Sequence, residues 1–152
     1  MSRTRKAARL LGLLSLGLVL FADAALPEIF LEVVPAPPEP AGLRDRSVVR
    51  VRPVRINEKP RVAVLLGMSL FPDVTLRVRW TNAETNQEGS TVWHGTVEGS
   101  GGRQALLVMG LGGVQGNVDG PGGRVFQLRS YRTAASGTAI WVREIEQKRF
   151  RD

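Results

Sequence analysis

The chain contains no cysteine and a single histidine, His94. Those two shortages remove disulfide bridges, thiolate nucleophiles and sulfur-ligated zinc, and they leave no second imidazole for a histidine-based catalytic metal site. Aromatic residues make up only 6% of the 152 positions, so each of the three tryptophans carries weight. The glycine-rich stretch from Gly110 to Gly123 has no Lys-Ser or Lys-Thr pair and no helical pattern after it. A phosphate-cradling loop needs both, which excludes that reading. Long apolar runs are also scarce, and only Leu10 to Phe21 extends over twelve residues. At about 1.5 Å per residue such a run reaches roughly 18 Å, short of the roughly 30 Å hydrocarbon core of a bilayer.

That run follows Arg3, Arg5, Lys6 and Arg9 and precedes Ala22-Asp23-Ala24. A basic start, a short apolar centre and small residues at the cleavage positions are the marks of an export signal. Residues 1–24 are therefore expected to be a signal peptide cut after Ala24, with the remainder periplasmic or secreted. The signal also accounts for much of the basic charge. Removing it leaves 21 − 4 = 17 Lys and Arg and 14 − 1 = 13 Asp and Glu, so the net charge drops from +7 to +4. Such a modest excess in an exported protein speaks against a nucleic-acid partner. It also predicts no membrane association once the signal is gone.

Residues 25–46 read as a proline-rich arm or linker, because Pro35-Ala36-Pro37-Pro38-Glu39-Pro40 supports neither a helix nor an interior strand. Leu26–Val34 is apolar enough to dock as an edge strand. From Ser47 onward strand signals recur. Ser47–Ile56 is rich in valine, with Pro53 predicting a sheet edge or a bulge. Arg61–Leu66 reads as a short buried strand. Val74–Trp80 alternates, with Val74, Leu76, Val78 and Trp80 on one face and Thr75, Arg77 and Arg79 on the other. Thr91–Glu98, Gln104–Met109, Val114–Val118, Arg124–Arg129 and Ala139–Ile145 follow, separated by glycine-rich turns. The expected fold is all-β: a single antiparallel sandwich or partly closed meander of about seven to nine short strands. Residues 47–150 would form this domain and 151–152 a terminal tail.

Candidate residues are few. Phe71, Trp80, Trp93, Phe126 and Trp141 sit in or beside strands, where aromatics usually anchor a core. Arg77, Arg79 and His94 are expected on outer faces and are the candidates for partner contact. Asp73 lies in Phe71-Pro72-Asp73-Val74 at a strand entry, where a carboxylate commonly accepts hydrogen bonds from nearby backbone N–H groups. No acid, base and nucleophile cluster can be assembled, so no catalytic residue and no cofactor are expected.

Four short segments follow one another in order: Leu70-Phe71-Pro72-Asp73-Val74, Trp93-x-Gly95-x-Val97-Glu98-Gly99, Gly123-Arg124-Val125-Phe126-Gln127-Leu128 and Glu144-Ile145-Glu146-Gln147. This set resembles the propeptide of bacterial zinc metallopeptidases of the reprolysin-like (metzincin) group, over about residues 47–150. In that group the peptidase follows the propeptide, whereas no His-Glu-x-x-His zinc helix occurs in this sequence. The resemblance implies a domain that assists folding of a peptidase and keeps it latent by covering its cleft. It also gives Asp73 a second reading, as a carboxylate filling the open position on a partner's zinc. The function expected on this basis is an exported, non-catalytic module that binds a zinc metallopeptidase in trans, as inhibitor or folding helper. The alternative is a structural or adhesion-type β-module of the cell envelope, assembled when a neighbour's Leu26–Val34 arm fills an open sheet edge.

Overall fold

A computed structural model describes residues 25–133 and 137–147. The expected signal peptide and the 151–152 tail lie outside the described residues. Nine strands form one sheet: β1 Phe30–Glu32, β2 Val48–Ile56, β3 Leu65–Phe71, β4 Val74–Thr85, β5 Thr91–Val97, β6 Gln104–Gly110, β7 Gly113–Asp119, β8 Arg124–Thr133 and β9 Gly137–Glu146. Their order across the sheet is β1-β2-β9-β8-β7-β6-β5-β4-β3, and every ladder is antiparallel. Strands β3 to β9 are therefore an up-and-down meander, and β2 returns against β9. The all-β expectation is met by a single curled sheet.

The sheet nearly closes on itself. At the seam, Ile29 N–H donates to the Gly67 carbonyl at 2.9 Å and Gly67 N–H donates to the Pro27 carbonyl at 2.9 Å. This is a lone parallel bridge between Glu28 and Gly67. Side chains complete what the backbone does not. Ser69 N–H donates to Glu28 Oε2 at 2.9 Å, and Arg52 Nη1 reaches the Ser69 carbonyl at 3.5 Å. Thus the segment around β1 fills the gap between β2 and β3, and buried edge groups that would otherwise lack partners are satisfied.

One face of the curled sheet lines the interior. Val54, Leu66, Val78, Trp80, Leu107 and Phe126 are buried in one cluster. On β4 the alternation is as expected, with Val74, Val78 and Trp80 buried, Leu76 half-buried, and Thr75, Arg77 and Arg79 exposed. Large side chains fit because glycine faces them. Gly95 pairs with Trp80, and a Cβ there would lie 2.7 Å from Val78 Cγ1 and 2.9 Å from Trp80 Cε3.

Three local expectations change. Pro53 is not on an edge strand, since β2 lies between β1 and β9. Its carbonyl accepts from Val33 N–H at 3.4 Å, so its missing donor faces the side where β1 has already ended at Glu32. The β2 irregularity falls instead between Val48 and Arg50. The third strand begins at Leu65 rather than Arg61 and runs on through Phe71, because Ala63 turns the chain with φ of 64°.

The proline-rich segment lies against the sheet. Leu43 is fully buried and Trp141 and Ser47 are buried, yet none belongs to the interior cluster. Side chains alternate across a strand, so Trp141 points opposite to Ile140 and Val142, which do belong to it. A second, thin apolar layer therefore sits between this segment and the outer face of β2 and β9. Arg143 Nη2 fastens it by donating to Asp45 Oδ2 at 2.7 Å.

Candidate functional site

The two ends of the barrel differ in chemistry. One end gathers Arg50 near the start of β2, Phe71 and Asp73 at the β3–β4 turn, Arg124 at the start of β8 and Glu144 near the end of β9. Arg50 grips Asp73 with two parallel contacts, Nη1 to Oδ1 at 2.6 Å and Nη2 to Oδ2 at 3.1 Å. Its Nε donates to Glu144 Oε2 at 2.6 Å, and Arg124 Nη1 donates to Glu144 Oε1 at 3.2 Å. The Arg50 guanidinium carbon stands 4.1 Å above the Phe71 ring centroid, and the Phe71 and Phe126 centroids are 6.1 Å apart. Paired hydrogen bonds on one side and a ring face on the other fix the planar cation.

The electrostatics follow from that geometry. Hydrogen bonding from Arg50 holds the Asp73 carboxyl below its ordinary value of 3.8, and the same bond raises the Arg50 guanidinium. Glu144 is only 5% exposed at its side chain but has an arginine on each oxygen. Asp73 is 62% exposed, and both its oxygens are taken by Arg50. To bind a partner's zinc it would first have to leave that arginine.

The outer face of β4 and β5 carries the other candidates for contact. Arg77 Nε lies 2.9 Å from Glu98 Oε2, and Arg79 Nη2 lies 3.3 Å from Glu98 Oε1. His94 is exposed on β5, on the face opposite Trp93. Phe71, Trp80 and Phe126 are buried in the interior cluster, Trp93 is half-buried against it, and Trp141 is buried in the outer layer. Among the described residues no group of three or more His, Asp or Glu side chains converges to hold a metal ion.

The opposite end is an open mouth. A cavity of about 430 Å³ lies there, walled by Ile56, Trp93, Met109, Val114 and Ile140. Leu111 projects at its rim, 98% exposed on the β6–β7 turn.

Sequence reasoning singled out Phe71, Asp73 and Phe126 and quoted Arg124 and Glu144 within the ordered segments, but gave no role to Arg50, which meets Asp73 only through the closing of the barrel. Arg50 and Glu144 stand 94 positions apart, and no local pattern marks a pair at that range. The mouth left no signal either, except that Trp93 shares a strand face with Gly95. Compared with known proteins, the chain matches no family model, no curated protein and no solved structure.

Proposed function

We propose that this chain is an exported, non-catalytic propeptide-like barrel that binds a zinc metallopeptidase in trans, as inhibitor or folding helper. The observation that carries the reading is the meeting of the ordered segments in space. Asp73 from the first segment, Arg124 and Phe126 from the third and Glu144 from the fourth all join the Arg50 cluster at one barrel end. The second segment supplies Gly95, whose missing side chain admits Trp80. The four segments thus contribute to one clasp and one core contact, which supports reading them together as one physical unit.

Such a unit gives a rigid surface, and rigidity matters for either role. A surface that fits the folded peptidase and not its unfolded chain shifts the peptidase towards the native state by mass action. The same surface laid over the cleft excludes substrate. The stripe of Arg77, Arg79 and Glu98 with exposed His94 is the polar face offered to the partner. The envelope-module alternative needs an open sheet edge for a neighbour's arm, and here the chain's own residues 27–32 occupy that place.

The test uses the exported protein and the exported zinc metallopeptidases of the same cell. Peptide hydrolysis by each enzyme, and its recovery of activity after dilution from denaturant, are followed with and without an excess of this chain. A slower native enzyme marks an inhibitor, and a higher refolded yield marks a folding helper. If every enzyme keeps its rate and its yield, the proposal fails.

A further inference from the structure

The cavity at the open mouth has a chemistry that peptidase binding does not use. Its volume of about 430 Å³ falls in the range of small-molecule sites, roughly 300–1,000 Å³. Its wall is formed by apolar side chains that reach it from β2, β5, β6, β7 and β9, so it is part of the barrel and not a fold of a loop. The rest of the interior is closed to an occupant: Trp80 and Leu107 are fully buried in the apolar cluster, and neither lines the cavity. An occupant must therefore be short.

The polar groups around this wall are few and one-sided. Thr91, Ser130 and Thr138 are the hydroxyl residues of the lining, and the Thr91 hydroxyl is shared with Thr85 Oγ1 at 2.9 Å. Ser130 Oγ accepts from Val114 N–H at 2.8 Å, and no acceptor takes its own proton among the described residues. Lys59, on the β2–β3 connection, is the one charged side chain in the lining, and it is exposed at the rim. No ion pair holds it among the described residues, whereas the neighbouring Arg61 is paired with Glu58 at 2.9 Å. An apolar wall, hydroxyl donors and one uncommitted ammonium at the entrance complement a molecule with an apolar tail and an anionic head.

We propose that the barrel mouth is a binding site for a medium-chain carboxylate, its tail against Trp93, Met109, Val114 and Ile140 and its head at Lys59. Burial of the tail supplies most of the affinity, because apolar area removed from water is the main favourable contribution at such a site. Lys59 selects the sign of the head group.

Trp93 gives a direct readout, because neither Trp80 nor Trp141 lines the cavity. Decanoate, kept below its micelle-forming concentration, is titrated into the exported protein while tryptophan emission and heat are recorded. Saturable changes in both are expected. Trp93→Phe should remove the optical change and weaken, without abolishing, the heat signal, because the ring is part of the wall. Lys59→Glu, at an exposed position that packing does not constrain, should weaken decanoate about tenfold and favour decylammonium instead. Thr138→Trp should block both probes, with circular dichroism checking that the barrel persists. The proposal is overturned if decanoate produces no saturable signal, if Thr138→Trp folds and binds as before, or if Lys59→Glu leaves the preference between the two heads unchanged. None of these outcomes depends on a peptidase, so the site and the proposed partner are tested separately.

Discussion

Gly95 shows how a single missing side chain shapes the interior. It faces Trp80 across the β4–β5 ladder, and an added methyl would press on Val78 and Trp80, neither of which has free space. Gly95→Ala is accordingly expected to destabilise the protein by about 1–3 kcal/mol, read as a lower urea midpoint with an unchanged slope. Ala63 is the reverse case, a side chain where glycine would suit the backbone better. A left-handed conformation costs a non-glycine residue about 1 kcal/mol, so Ala63→Gly should raise the midpoint slightly. The charged end adds a pH dependence. Asp73 has its folded-state pKa depressed by Arg50, so its stabilising contribution is complete above the ordinary value of 3.8 and is lost as pH falls through the lower folded value. Asp45 acts in the same direction, chiefly through its hydrogen bond from the Ser47 hydroxyl. Asp73→Asn should be less stable than wild type at neutral pH, and the two melting curves should converge as the pH drops below 3.8.

At the scale of elements, the seam and the proline-rich segment are the parts whose removal is most informative. Gly67 leaves room for the Glu28 carboxylate, since a Cβ there would lie 2.6 Å from Glu28 Oε1. Gly67→Val should push Glu28 out, free Ser69 N–H and expose the β3 edge. A newly open edge pairs with other chains, so association that rises with protein concentration is expected in light scattering. A strictly monomeric variant would show that the seam is closed by something other than Glu28. In the outer layer, Leu43→Ala should cost about 2–5 kcal/mol and make the 33–47 segment the first site of limited proteolysis. The strands themselves were largely legible from sequence. Val74 to Trp80 alternates because one of its faces meets the interior and the other meets water, and period two records that directly. The start of β3 was not, because Val62 and Val64 imitate a strand that Ala63 bends into a turn. Pro53 misled for a related reason: proline forbids one hydrogen bond, and the sequence does not show that β1 ends before that bond is needed. The Arg50 cluster and the mouth arise only when β2 meets β9, at separations that local patterns do not reach.

The whole molecule is a nearly closed barrel, one end locked by ion pairs and the other open, and the proposed partner is a zinc metallopeptidase. A stable complex between two such proteins buries about 1,200–2,000 Å². If Arg77, Arg79 and His94 contribute to it, reversing the two arginine charges should slow association and weaken its salt dependence while leaving thermal stability nearly unchanged. The most direct measurement is sedimentation velocity of this protein mixed with an exported zinc metallopeptidase of the same cell. The account predicts one faster boundary containing both chains at fixed stoichiometry. Separate boundaries for every such enzyme, at concentrations far above those of a functional complex, would contradict it.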